Sequence, residues 1–363
     1  MITKQEFQAK LQNLGIDDTE APLLSDLAAK RIADKFYDEI GADKASDFVE
    51  TAGDDSNGKS IGAIFVLSTK NSDGEIDPDI AITFIKNIND PVDCPVDVAL
   101  EEGVDDICSD VSGILRVADF VKKAGVYKAA DFVSNTKNTE GNKDPTVAAS
   151  YVSEFIQLHI DTTLIRFQPG DMIKNTEDPK VVAAFVSEHE DLKDWPGVIR
   201  AIYYIRNDNR WTSQNIISGF LNNTGLDSDN KSVAAKFFNE FKKVENNVAY
   251  RDYDIDTKAS IFLENDVINS EIAYQFVKEA GGTNAGKFVK ELSITDAVNF
   301  IKEAGVSSAG AFVKSLGGST ASEKVANYGS AIAGELVKLG YNSAPKISQG
   351  IFQINANTYL INK

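Results

Sequence analysis

Histidine, cysteine, methionine and tryptophan occur only twice each in this 363-residue chain, and that scarcity removes several kinds of chemistry at once. Two cysteines, Cys94 and Cys108, cannot frame a disulfide network or a cysteine-rich metal cluster; a single bridge between them would be decoration. Cys108 stands in an apolar slot of DDICSDV and reads as a small hydrophobe. His159 and His189 have no second histidine or cysteine at ligand spacing, so they read as surface or half-buried side chains rather than a metal centre or a general base. No Gly-x-Ser-x-Gly nucleophile elbow is present. The expectation is a protein without catalytic residues.

Long apolar runs are also missing. The longest, Ile61 to Leu67, is far short of the roughly 20 residues that cross a bilayer. The opening MITKQEFQAKLQNLGIDD has no apolar core behind its charges, so a cytoplasmic location is expected, with export by a route that uses no cleaved amino-terminal signal as the alternative. Positive charge is in deficit. With 37 basic against 55 acidic residues the formal charge is −18, which repels phosphate backbones and anionic headgroups, so neither nucleic-acid binding nor membrane insertion is expected.

What the sequence does contain is a repeat. From Ala273 it reads AYQFVKEAGGTN, AGKFVKELSITD, AVNFIKEAGVSS, AGAFVKSLGGST, placing Phe276, Phe288, Phe300 and Phe312 twelve residues apart. Ala273, Ala285, Ala297 and Ala309 stand three residues before them; Ala321 and Ala333 continue the series, with Leu336 in the later Phe slot. Within a unit, Ala273, Phe276, Val277 and Ala280 fall at i, i+3, i+4 and i+7, one stripe of an α-helix. Lys278, Lys290, Lys302 and Lys314 fall off the stripe near the helix end, where a cation suits the helix dipole. Asn284, Asp296, Ser308 and Thr320 precede the alanines and read as N-caps, while Gly281, Gly305 and Gly317 read as C-terminal caps. Each unit is therefore expected to be a helix of about eight residues followed by a turn of about four. A helix of roughly 12 Å cannot persist alone in water, so neighbouring helices must stack.

Looser copies occur upstream, at Ala33/Phe36, Ala45/Phe48, Ala81/Phe84, Ala129/Phe132, Ala148/Tyr151, Val182/Phe185, Ala201/Tyr204, Ala234/Phe237 and Ala259/Phe262. The expected fold is all-α, a solenoid or superhelix of short repeats of about 12 residues, with a short β arm at the carboxy terminus. Four sections are expected: helical repeats with polar loops over 1–134, an irregular helical section over 147–268, regular repeats over 269–340, and an arm or cap over 341–363. Gly53–Lys59, Thr69–Asp79, Asn135–Thr146 and Asn222–Ser232 read as polar surface loops, with Asn135–Thr146 the boundary between the first two sections.

Two of these loops imitate binding motifs. Gly53-Asp54-Asp55-Ser56-Asn57-Gly58-Lys59-Ser60 matches the P-loop pattern letter for letter, which makes Gly53, Gly58, Lys59 and Ser60 candidate nucleotide-binding residues. Three features oppose that reading: a helical unit, ASDFVETA, precedes the loop where a buried strand is required; Asp54 and Asp55 would face a polyphosphate; and the alternation of strands and helices is missing. A polar connector is the preferred reading. Asn71-Ser72-Asp73-Gly74-Glu75-Ile76-Asp77 resembles the middle of an EF-hand loop, which makes Asp73, Glu75 and Asp77 candidate Ca²⁺ ligands, but Ile80 occupies the slot of the bidentate Glu. A solvated acidic turn is preferred there, and Asp227-Ser228-Asp229 is a fainter echo. Trp195 and Trp211 could border a partner groove, with a core role preferred.

The leading functional expectation is a non-enzymatic structural or scaffolding protein that self-assembles as an oligomer, filament or layer. A solenoid adaptor that binds a protein or peptide is the second reading, and a P-loop nucleotide hydrolase the third. The expected partner is accordingly a second copy of the chain or another protein.

Overall fold

The computed structural model describes residues 1–14, 24–88, 113–160, 169–189, 198, 201, 216–242 and 266–341. All regular elements among them are helices, eighteen in number. Cys94, Cys108, Trp195, Trp211, Tyr204, Phe262 and the expected arm beyond Tyr341 lie outside the described residues. The chain divides into two compact units, residues 1–187 with 191–210, and residues 188–190 with 211–363. The expected boundary at Asn135–Thr146 does not separate units: helices on both sides of it pack together inside the first.

The first unit contains α1 (Lys4–Gln12), α2 (Asp26–Ile40), α3 (Ala42–Ala52), α4 (Ile61–Ser68), α5 (Pro78–Lys86), α6 (Gly113–Ala124), α7 (Val126–Asn135), α8 (Pro145–Ile160), α9 (Pro169–Asn175) and most of α10 (Pro179–Glu188). Within α1 to α5 and within α6 to α9 each helix packs on its neighbour in sequence, and throughout α1 to α9 on the helix three further along: α1 on α4, α2 on α5, α3 on α6, α4 on α7, α5 on α8 and α6 on α9. At the centre runs a file of buried rings, Phe7, Phe36, Phe48, Phe65, Phe84, Phe120, Phe132 and Tyr151, with successive centroids 4.8–6.2 Å apart. Offset and tilted rings at this spacing attract through their quadrupoles, worth about 0.5–1.5 kcal/mol per pair beyond the area they bury. The Tyr151 hydroxyl donates to Pro169 O at 3.3 Å, and burial pushes its pKa up.

The second unit contains α11 (Ile216–Thr224), α12 (Val233–Lys242), α13 (Asp266–Ala280), α14 (Gly282–Glu291), α15 (Ile294–Ala304), α16 (Val306–Leu316), α17 (Gly318–Tyr328) and α18 (Ser330–Lys338). The same rule holds among these described helices, with α11 on α14, α12 on α15, α13 on α16, α14 on α17 and α15 on α18. Phe220, Phe237, Phe276, Phe288, Phe300 and Phe312 form a second file at 5.5–6.1 Å. Every described Phe or Tyr of the upstream copies is fully buried in its own unit.

The twelve-residue period has a different anatomy from the expected eight plus four. Helices α14 to α17 run 10 or 11 residues, and between most of them stands a single glycine that caps both. Gly281, Gly305, Gly317 and Gly329, like Gly41 and Gly125, have φ between +78° and +93° with ψ between +130° and +150°, a region closed to residues with a Cβ. One residue thereby redirects the chain. Its carbonyl accepts the N–H of the motif alanine four residues on at 2.9–3.0 Å, as in Ala285→Gly281 and Ala309→Gly305, closing the first helical turn. Asn284, Ser308 and Thr320 are therefore helical residues and not N-caps; the cap lies three residues earlier. Asp296 is displaced likewise, because Ser293 caps α15 with its Oγ accepting the Asp296 N–H at 3.0 Å.

Stacking at the third helix needs small residues. A Cβ built on Gly310 of α16 would lie 2.4 Å from Glu279 Cβ of α13, and one on Gly286 of α14 would lie 2.6 Å from Asn223 Cβ of α11. The residue after the motif alanine is a contact point between successive layers at Gly286, Gly310 and Gly334, and Ser322 stands at the same position, whereas α15 carries the larger, buried Val298 there.

Candidate functional site

The P-loop lookalike and the EF-hand lookalike turn out to be two copies of one connector, of which the described residues contain four: Asp54 to Ser60, Lys70 to Ile76, Lys137 to Lys143 and Leu226 to Ser232. Each pair is joined as an isolated antiparallel bridge, and each loop carries an Asx side chain at its second position, Asp55, Asn71, Asn138 and Asp227. One Oδ1 of that residue accepts two backbone N–H groups: Asn57 and Lys59 at 2.8 and 2.9 Å for Asp55, Asp73 and Glu75 at 3.0 Å for Asn71, Glu140 and Asn142 for Asn138, Asp229 and Lys231 for Asp227. Three residues on, Gly58, Gly74, Gly141 and Asn230 have positive φ and donate N–H back to the Asx carbonyl. These residue types recur because Asx side chains mimic a backbone turn and only Gly, or less readily Asn, takes the left-handed position.

Two sequence subtypes share that geometry. Loops two and three read Thr69-Lys70-Asn71-Ser72-Asp73-Gly74-Glu75-Ile76-Asp77-Pro78 and Thr136-Lys137-Asn138-Thr139-Glu140-Gly141-Asn142-Lys143-Asp144-Pro145. In both, a fully buried threonine ends the preceding helix, and its hydroxyl lies 2.8–3.1 Å from the carbonyls of Val66 and Asp77 or of Val133 and Asp144. Loops one and four read Gly53-Asp54-Asp55-Ser56-Asn57-Gly58-Lys59-Ser60 and Gly225-Leu226-Asp227-Ser228-Asp229-Asn230-Lys231-Ser232. The fourth keeps the conformation while losing the second P-loop glycine.

This geometry places each candidate residue. In the first loop the N–H groups that a P-loop directs at phosphates are engaged internally: Asp55 and Gly58 bond within the loop, Asn57 and Lys59 bond to Asp55 Oδ1, and Ile61 bonds to Gly53 O. Ser60 is the N-cap of α4, its Oγ 3.5 Å from the Ala63 nitrogen. Asp54 pairs with Lys10 at 2.9 Å. In the second loop Asp73 and Glu75 are exposed, and Asp77 caps α5 by accepting the Asp79 N–H. Among the described residues, no group of three or more His, Cys, Asp or Glu side chains is placed to hold a metal ion. His189, just beyond the end of α10, is buried, 5% exposed, with its ring 6.0 Å from that of Phe238 on α12; this corrects the expected surface or half-buried position. His159 lies on α8.

The connectors also bind adjacent layers, a role not visible in any one loop read alone. The Lys70 N–H donates to Ser134 Oγ at 2.9 Å, and one layer on, the Lys137 N–H donates to Ser187 Oγ at 2.8 Å. Lys143 Nζ donates to Asn71 O at 2.9 Å and Lys70 O at 3.3 Å, tying the third loop to the second. Burial, then the neighbouring Lys180 and Lys137 charges, lowers its pKa. In the fourth loop Lys236 pairs with Asp227, whose carboxyl is partly buried; that burial is outweighed by the Lys236 contact and two backbone N–H donors, which hold its pKa below the usual carboxylate value. The repeated signal was available in the sequence, by aligning the polar interruptions with one another instead of with known motifs.

Compared with known proteins, the chain matches no family model, no curated protein and no solved structure. No helix among the described residues is long and apolar enough to cross a membrane.

Proposed function

We propose that this chain is a non-enzymatic scaffold, each unit a solenoid with three helices to the turn, whose repetitive body serves as a self-associating building block. The observation that carries this reading is the regularity of packing: described helices rest on the next helix and on the third along, around a file of rings that continues from layer to layer. Such a body is assembled from nearest-neighbour interfaces and can present equivalent surfaces at regular intervals. The chemistry of the connectors supports the same reading. Their polar groups engage the loop's own backbone and the adjoining layer, which are structural tasks.

Sedimentation velocity across a hundredfold range of concentration tests the proposal. A scaffold of this kind shifts to larger species as concentration rises. A chain that stays monomeric throughout and instead retains one specific protein partner would favour the adaptor reading. Saturable stabilisation by ATP or GTP would favour the hydrolase, since a ligand that binds only the folded state raises its melting temperature.

A further inference from the structure

The first connector departs from the other described ones at the position just before the left-handed residue. There the second, third and fourth carry a carboxylate, Asp73, Glu140 and Asp229, whereas the first carries Asn57, followed by Gly58. No other asparagine in the chain precedes a glycine. Asn57 and Gly58 are exposed, and the Asn57 side-chain amide has no hydrogen-bond partner among the described residues. The connector asparagines Asn71 and Asn138 are placed differently. Each uses its amide oxygen to accept two backbone N–H groups, and each is followed by a residue with a side chain, Ser72 or Thr139.

Asparagine is a thermolabile residue, and a following glycine has no Cβ to hinder its nitrogen in approaching the side-chain carbonyl carbon. We infer that Asn57 is a site of spontaneous modification, losing ammonia to form a cyclic imide with Gly58 that water opens to aspartate or isoaspartate, at a rate set by the connector. Attack of the deprotonated Gly58 nitrogen on Asn57 Cγ forms the new C–N bond and breaks the bond from Cγ to Nδ2, which leaves as ammonia. Water then opens the imide at one of its two C–N bonds. Opening at Cγ gives aspartate; opening at the main-chain carbonyl gives isoaspartate. One water is consumed and one ammonia released, with no oxidant or reductant.

The folded connector opposes the first step. The Gly58 N–H donates to Asp55 O at 3.0 Å, and Asp55 Oδ1 accepts the N–H groups on either side, those of Asn57 at 2.8 Å and Lys59 at 2.9 Å. The attacking nitrogen is therefore released only when the loop opens. The two products also fit differently. Aspartate at this position repeats Asp73 and Asp229, which stand in connectors of the same hydrogen-bonding pattern. Isoaspartate inserts an extra main-chain carbon before Gly58, taking the Gly58 and Lys59 N–H groups out of register with Asp55 and pulling on Ser60, the N-cap of α4.

The test is incubation of the full chain at mildly alkaline pH, followed by peptide mass mapping and isoaspartate detection. Asn57 should convert before any other asparagine, and at least about ten times faster in guanidinium chloride than in the folded chain, because opening gives up the hydrogen bonds to Asp55. Asp55→Ala should speed conversion of the folded chain severalfold, while Asp55→Asn, which keeps the acceptor as Asn71 and Asn138 do, should stay near the parental rate. Asn57→Asp should melt at the parental temperature. If Asp55→Ala unfolds the chain, as circular dichroism would reveal, the ratio of folded to denatured rates in the parent tests the connector's role by itself. Asn57 intact while another asparagine converts would overturn the inference, whatever the state of association. Equal rates in folded and denatured chains would overturn the control assigned to the connector.

Discussion

Gly281 and Gly282 are adjacent glycines that the fold requires for opposite reasons, and substituting each by alanine separates the two. Gly281 links α13 to α14 with φ +80° and ψ +133°, and an added Cβ there would meet nothing within 4 Å. Its cost is conformational only. A residue held in such a region loses about 1–3 kcal/mol, and the stiffer unfolded chain of the variant returns about 0.4–1 kcal/mol, so Gly281→Ala should destabilise by about 1–2 kcal/mol. Gly282 lies inside the helix, where alanine is the better helix former by about 1 kcal/mol. Its Cβ, however, would lie 1.8 Å from Ile216 O, 2.8 Å from Ile216 C and 2.9 Å from Phe220 N, all backbone atoms of α11. Contact needs well over 3 Å, so α14 must withdraw from α11 and open the layer beneath; the loss should reach about 3 kcal/mol despite the better propensity. Urea denaturation followed by circular dichroism gives both numbers. Enlarging the side chain to serine should deepen the Gly282 defect and leave the Gly281 defect nearly unchanged. Equal costs at the two sites, or a stabilised Gly282→Ala, would refute the close backbone approach.

The remaining predictions concern the core and the connectors. Phe300, fully buried between Phe288 and Phe312 with centroids 5.5 Å away on each side, should lose about 3–5 kcal/mol on replacement by alanine in the same denaturation assay; a cost near zero would place the ring in water. Asp227→Asn should keep the loop, since Asn71 and Asn138 do the same work, and lose only the Lys236 pair, less than about 1 kcal/mol for a partly exposed ion pair. Asp227→Ala removes the Asx acceptor as well and should cost about 1–2 kcal/mol more. Because the folded pKa of Asp227 lies below its ordinary value of 3.8, its ionic contribution is present above that pH and is lost as the pH falls through the folded value. The deficit of Asp227→Asn should therefore be constant from pH 7 to about 5 and shrink in stronger acid; a deficit that grows on acidification would contradict the pairing. Lys59→Ala should leave the melting temperature in the presence of ATP or GTP the same as that of the parent, whereas nucleotide stabilisation present in the parent and lost in the variant would revive the P-loop reading.

The helical class and the buried faces were legible in the sequence because the Ala-x-x-Phe spacing reports side-chain periodicity directly, and Phe36, Phe48, Phe84 and Phe132 are buried as that spacing implies. The glycine C-caps were legible as well; the N-caps were not, for a physical reason. Asn284 and Ser308 are good capping residues by type, but the glycine three residues earlier ends one helix and begins the next in a conformation that no propensity scale describes. The packing on the third helix was hidden as well: it depends on which side of the stripe a small residue such as Gly310 stands, and on what faces it from a helix thirty residues away in sequence. Gly53–Ser60, read as a polar connector despite its P-loop pattern, carries residues that match phosphate-binding chemistry while their N–H groups close a turn.

The central claim, that the repetitive body is a building block, is tested most directly by electron microscopy of the purified full chain imaged at rising concentration. The account predicts discrete paired or extended particles that become more numerous with concentration. A field of single molecules at the highest concentration attainable would contradict it.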